Sequence, residues 1–413
     1  ARIFSQPLVG WTTPKVESMY YMFNQAFEFN HDISAWDVSS VENMERMFYG
    51  RSDRDHKFNN GGQPLDWSNT SSVTNMKEMF YQSQNFNQDV SSWDTSNVTT
   101  MEKMFVNANA FNQDVSDWNM SSVIALQYMF HAANVFNNGG VALDWDDGFG
   151  VNANLRAMFY SDANLTNFNQ DVSAWDTSNV QNMRQMFFNT TVFNQDISDW
   201  DTSNVSFMME MFSRGSGRGP SAFNNGGVAL DWDDGFGLNA DLEEMFHLNA
   251  AFNQDLSAWN TSNVLNMREM FSFSPVFNNG GVALNWGDGF APSAVMREMF
   301  KNTDNFNQDI SSWNMSNVRR MTSMFEDNDG FNNGGVALNW GDGFFANAIM
   351  DFMFRTSVFN QDISSWDTTN VINMSHMFDR NSNFNQAIGS WNVANVTDMS
   401  VMFWQATSFN KEL

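Results

Sequence analysis

Seven aspartates recur in one tetrapeptide context, Phe-Asn-Gln-Asp: Asp89, Asp114, Asp171, Asp196, Asp255, Asp309 and Asp362. Carboxylates at one fixed place in a repeating chain can do two kinds of chemistry. Each can accept backbone N–H groups within its own turn, or neighbouring ones can hold a cation between them. Stacked chain segments lie roughly 4.8 Å apart, so the like charges would sit side by side and one of these offsets is needed. Turn capping is the leading expectation. Ca2+ is the alternative, with Asp89, Asp114, Asp171 and Asp196 as its candidate ligands. Further acidic turns occur at Asp144, Asp146 and Asp147 and again at Asp231, Asp233 and Asp234, but Trp-Asp-Asp-Gly lacks the spaced Asp/Asn pattern of an EF-hand loop.

Other reactive residue types do not assemble. His31, His56, His131, His247 and His376 occupy unrelated positions without ligand spacing, which argues against a zinc site or a histidine base. The 30 methionines sit at buried spacing and read as adaptable core filler rather than copper ligands. No Ser-His-Asp set emerges, and Gly215, Ser216 and Gly217 lack the strand-to-helix context of a nucleophile elbow. No catalytic residue is assigned, and the chain reads as non-enzymatic with no organic cofactor. The asparagine after the leading phenylalanine, as at Asn87, Asn112 and Asn137, predicts an inward structural ladder of side-chain amides.

These residues must be positioned by a repeat. The stretch from Phe86 to Phe105, FNQDVSSWDTSNVTTMEKMF, is its type copy, and the closing Met-Phe pair occurs fifteen times between Met22 and Met402. The intervals run from 24 to 34 residues. A fixed period in the range of roughly 20 to 50 residues marks a solenoid or related array. Short copies carry Phe-Asn-Gln-Asp; long copies carry Phe-Asn-Asn-Gly-Gly at Phe58, Phe136, Phe223, Phe277 and Phe331 and add about two residues on either side of the tryptophan. The Gly-Gly and Asp-Gly pairs of the long copies supply positive φ at corners. Within a copy, Trp93 and Thr95 alternate as in a brief strand. Val98, Met101, Met104, Phe105 and Ala108 step by three and four, which predicts a short helix capped by Thr95, Ser96 and Asn97. Neither element is stable alone, so stacking must bury the Trp, Met-Phe and leading Phe columns. The expected architecture is one continuous solenoid domain over residues 1–413, of about fifteen coils, each with a short strand and a short helical turn.

The text FNQDISSWDTTNV followed by INMSHMF, from Phe359 to Phe378, resembles the 25-residue surface-protein repeats typified by Mycoplasma lipoproteins, themselves similar to BspA-type leucine-rich repeats. The resemblance covers essentially the whole chain, with the Gly-Gly copies a departure in loop detail. It implies a leucine-rich-repeat-like solenoid, a cell-surface or extracellular setting, and adhesion or structural roles. It transfers no catalytic residues.

Composition narrows the partners. Lys and Arg number 20 against 47 Asp and Glu, a formal charge of −27, which is the wrong sign for neutralising nucleic acid phosphates or anionic membrane. Apolar residues make up 42% of the chain, including 41 Phe and 16 Trp, enough for an ordered core despite the charge. There is no Cys, which rules out disulfides and thiolate metal sites without deciding the compartment. No run of about 18 apolar residues is present, and a start at Ala1 fits a processed or excerpted chain. Ten Asn-x-Ser/Thr sequons, at Asn69, Asn97, Asn119, Asn164, Asn189, Asn204, Asn260, Asn314, Asn373 and Asn395, arise either from glycosylation of a secreted protein or from chance in an Asn/Ser/Thr-rich turn.

Two insertions, Tyr49 to Lys57 and Ser213 to Ala222, fall at the same edge of the repeat; the second carries Arg214 and Arg218 and is a candidate binding loop. The sequence enters at Phe4 and Trp11 and leaves at Met402, Phe403 and Phe409, the same phase, with no polar cap. That pattern predicts head-to-tail association of copies into an open filament through these residues. A segment of a longer chain, or ends covered by a tail, gives the same pattern. The leading expectation is an extracellular or cell-surface structural protein whose partner is itself; the second is an adhesin or recognition module for a glycan or protein.

Overall fold

The computed structural model describes residues 2–8, 10–67, 69–162, 167–215 and 221–413. They fall into two compact units, the first built from residues up to Asp201 and the second from Thr202 onward. Each is a stack of tandem repeats joined by parallel pairing. In the first unit, single parallel bridges step from Ser18 to Asn43, Asn75, Thr100, Ala125 and Asn154, where β1 (Ala153–Asn154) pairs with β2 (Val180–Asn182). In the second, β3 (Ala240–Asp241), β4 (Val264–Asn266), β5 (Ala294–Val295), β6 (Val318–Arg320), β7 (Ala348–Ile349) and β8 (Val371–Asn373) form a six-stranded parallel sheet in chain order.

Two local expectations are corrected. Among the described residues there is no α-helix, and the strand lies at the Val-x-Asn step rather than at Trp93 to Thr95. The stretch that steps by three and four is a run of overlapping turns. Met104 N–H donates to the Met101 carbonyl, Val106 to Lys103, and Ala108 to Phe105. The N–H groups between them leave the coil: Met101, Lys103, Phe105 and Asn107 donate to Ala125, Gln127, Met129 and His131 of the next coil at 2.9–3.0 Å. A helix would need those groups for itself. Turns closed three residues back give the same apolar spacing as a helix, which is why the pattern misleads. Lys103 and Asn107 have φ of 57° and 54°, the left-handed third position of a type II turn.

Two of the three expected caps bridge coils instead, while the Ser96 hydroxyl donates to the Asp94 carboxylate of its own coil at 2.6 Å. Thr95 Oγ1 donates to the Asn119 carbonyl in the following coil at 2.9 Å, and Asn97 Nδ2 to the Ser71 carbonyl in the preceding one at 2.8 Å.

The expected columns form the core. Phe80, Phe105, Phe130 and Phe159 stack with ring centroids 5.5–5.6 Å apart, and Phe86, Phe111, Phe136 and Phe168 stack beside them at 5.9–6.0 Å. Tryptophan forms the third column, with indole N–H groups donating one coil back, as Trp93 does to the Leu65 carbonyl at 2.9 Å and Trp118 to the Val90 carbonyl at 3.1 Å. Burying one such ring contributes roughly 1.5–3 kcal/mol. The long copies turn their corner on Asn-Gly-Gly. Gly139 and Gly140 have φ of 64° and 91°, and the buried Asn138 amide accepts from Val115 N–H while donating to the Ser116 hydroxyl and the Ala142 carbonyl.

Candidate functional site

The repeated aspartates cap their own turns. The Asp89, Asp114, Asp171 and Asp196 carboxylates each accept the backbone N–H two residues on, at 2.9–3.0 Å, and Asp255, Asp309 and Asp362 do the same. The Ser364 N–H, and then its hydroxyl, hold the Asp362 carboxyl below the usual carboxylate range. Among the described residues no three His, Asp or Glu side chains converge as a metal site would require. The asparagines form the ladder, half-buried rather than inward: Asn87 Oδ1 accepts Asn112 N–H at 2.9 Å and Asn112 Oδ1 accepts Asn137 N–H at 2.7 Å.

The histidines remain scattered. His31 Nε2 meets the Ser5 carbonyl at 2.7 Å, His131 meets Asp162 at 3.0 Å, and His376 meets Asp379 at 3.1 Å. Burial pushes His131 and His247 below the ordinary histidine range, and pushes the enclosed His56 down to about 4. In the Tyr49 to Lys57 insertion, Arg51 bridges to Arg54 and pairs with Asp53, while Lys57 reaches Glu28 at 2.7 Å. Of the second insertion, Arg214 N–H donates to the His247 carbonyl; Ser216, Gly217 and Arg218 lie outside the described residues.

The sequon asparagines are unevenly accessible. Asn69, Asn97, Asn204 and Asn395 are exposed, whereas Asn119, Asn260, Asn314 and Asn373 are half-buried. Asn189 is only 4% exposed, with its amide donating to the Ser161 carbonyl. Asn164 lies outside the described residues. The proposed assembly residues sit at the outer coils. Phe4 stacks on Phe29 at 5.6 Å, and Trp11, 53% exposed, stacks on Trp36 at 6.1 Å. Phe403 stacks on Phe378 and Phe409 on Phe384, both at 5.8 Å, beside the buried Met402.

Sequence reasoning passed over the face made by the two residues that precede the closing Met-Phe pair of each coil. Arg46, Lys77, Lys103, Arg156, Arg184, Arg268 and Arg297 all fall there, and their recurrence at one phase was the available signal. The stack pairs three of them across coils: Arg46 with Glu78, Lys77 with Glu102 at 2.7 Å, and Arg268 with Glu243 at 2.9 Å. Such pairs at a half-exposed surface contribute at most about 1 kcal/mol each.

In the second unit the later of these two positions is glutamate in four successive coils: Glu210, Glu244, Glu269 and Glu298. Burial first, then the charges of Glu269, Glu210 and Glu243, push the Glu244 carboxyl up to about 7, with Arg268 acting in the opposite direction. A carboxyl raised in the folded state favours folding while it holds its proton, so that contribution is lost as pH rises from the ordinary carboxylate range through about 7. Discounted for its half-exposed setting, Glu244→Gln is expected to stabilise the protein by about 1 kcal/mol at alkaline pH and by almost nothing under acid conditions. Urea midpoints at the two pH values check this; an equal effect at both would contradict it.

No curated protein and no solved structure matches the chain. The family described as "Mycoplasma protein of unknown function, DUF285" matches over residues 1–60, 54–163, 145–233, 218–289, 289–341 and 346–413. Repeats matched in tandem along nearly its whole length mean that the chain belongs to this Mycoplasma repeat family.

Proposed function

We propose that the chain is a non-enzymatic structural protein of the extracellular space or cell surface, made of fifteen coils, one per Met-Phe pair, that associates head to tail with further copies. The carrying observation is a matched pair of open backbone edges. In the outermost coils, among the described residues, the Ser18, Tyr20, Met22 and Asn24 carbonyls accept no hydrogen bond and the Met399, Val401, Phe403 and Gln405 N–H groups donate none. Elsewhere the same positions pair, as Met374, His376, Phe378 and Arg380 do with Asp398, Ser400, Met402 and Trp404. Four donors on one edge therefore complement four acceptors on the other, in the register the stack already uses.

Association has an obstacle. Phe409 on Phe384 and Phe4 on Phe29 are equivalent stackings, so residues 409–413 fill the place that residues 4–8 of a following copy would take. One segment must move aside. Sedimentation over a wide concentration range tests the proposal. A chain lacking residues 409–413 is expected to associate more strongly than the chain of 413 residues, and Trp11→Asp is expected to weaken association in both. Monomers alone from both chains at high concentration would end the proposal.

A further inference from the structure

Two open troughs lie side by side on the second unit, of about 590 and 580 Å³, and they share Arg297 and Arg320 as their common ridge. Arg320 ends β6, exposed, with its Cα in register with Ile349 of β7. Among the described residues its side chain makes no ion pair and no hydrogen bond. Arg297 is paired only with its own neighbour, Glu298, at 2.8 Å. By contrast Arg268, Lys301 and Arg355 each bridge to carboxylates of other coils. In a chain of net charge −27, a guanidinium without a carboxylate partner, lining the same two troughs as another held only by its sequence neighbour, leaves positive charge open to an outside anion.

We propose that this ridge binds an acidic polysaccharide, with Arg320 and Arg297 holding carboxylates of successive uronate rings. The planar guanidinium fork matches a carboxylate in two parallel hydrogen bonds. The trough walls match the rest of a sugar. Val295, Ile349 and the half-buried Phe352 offer apolar surface to the C–H faces of the rings, while Thr322, Asp351 and Asn373 offer groups that hydrogen-bond hydroxyls. Glu298, Glu326 and Asp351 stand among the cations, which disfavours an acidic peptide carrying a charge on every residue. A uronate polymer spaces its charges by a whole ring and can place them at the two arginines. This inference is independent of head-to-tail association.

The test is calorimetric titration of the 413-residue chain with polygalacturonate oligomers at low and high salt, alongside neutral dextran and poly-L-glutamate. Expected are binding of polygalacturonate that weakens with salt, none of dextran, and markedly weaker binding of polyglutamate. Arg320→Ala is expected to weaken polygalacturonate binding about tenfold and Arg320→Glu to abolish it. Because Arg320 is exposed and unpaired, both variants should melt like the parent, which separates lost binding from lost folding. No binding at low salt, polyglutamate binding as tightly as polygalacturonate, or unchanged binding by Arg320→Glu would each overturn the proposal. Sedimentation of the same variants should be unaltered, so failure here leaves the association reading to its own experiment.

Discussion

Phe105→Ala is expected to lower the free energy of unfolding by about 4 kcal/mol. The ring is fully buried and touches both neighbours in its own column, Phe80 and Phe130, as well as Phe111 at 4.0 Å and Trp118 at 6.4 Å. Removing it leaves a cavity between coils whose spacing is pinned by hydrogen bonds on both sides, Phe80 N–H to Met104 and Phe105 N–H to Met129, so collapse is restricted. A stack in which each repeat touches only its neighbours confines the damage. Amide hydrogen exchange should show protection lost around Phe80 to Phe136 and retained around Phe300 to Phe354. A uniform loss throughout would mean that the coils do not behave as nearest-neighbour units.

Acid is expected to destabilise the protein through His56. The imidazole is enclosed, with the Phe27 ring edge-on at 6.2 Å, and burial pushes it from 6.5 down to about 4, the nearby Asp55 carboxylate and Phe23 backbone offsetting only part. The sign follows from proton binding. The unfolded chain takes up the proton near 6.5 and the folded chain only near 4, so the stability present above 6.5 is lost as pH falls towards 4. A difference of about 2.5 units corresponds to about 3 kcal/mol once both states are protonated. His56→Leu keeps an apolar group of similar bulk and removes the titration. Its fall in stability between neutral and acid pH should be smaller than the parent's by about 3 kcal/mol, read from denaturant midpoints. Equal falls would show that the acid response arises elsewhere.

Much of the repeat was readable from residue type. Trp, Met, Phe and Asn recur at fixed phase, and burial in a stack must place equal residues above one another, so the columns and the asparagine ladder follow. The local backbone did not follow. Met101, Met104, Phe105 and Ala108 carry the spacing of a helix, but two type II turns give the same spacing, and those turns place ordinary side chains at positive φ, including Tyr128, Phe352 and Val401. Nothing in those residue types announces the left-handed region, which costs an L-residue roughly 1–2 kcal/mol. What enforces it within the stack is not local: Tyr128 N–H reaches the Arg156 carbonyl and Phe352 N–H the Ser375 carbonyl, each one coil away, partners that the local sequence cannot identify. The charged face was hidden for a related reason, because Lys77 and Glu102 become neighbours only when coils stack.

The direction of the coil-to-coil bonds gives each unit an electrical polarity. From Met101, Lys103, Phe105 and Asn107 four peptide N–H groups point onward along the stack, while Thr99 N–H points back. Peptide dipoles so aligned add up as they do in an α-helix, but in the opposite sense relative to chain direction. Partial negative charge gathers on the carbonyls facing the start of the stack and partial positive charge on the N–H groups facing its end. Such stacks lying alongside one another should therefore favour antiparallel neighbours, and mobile cations and anions should concentrate at opposite faces.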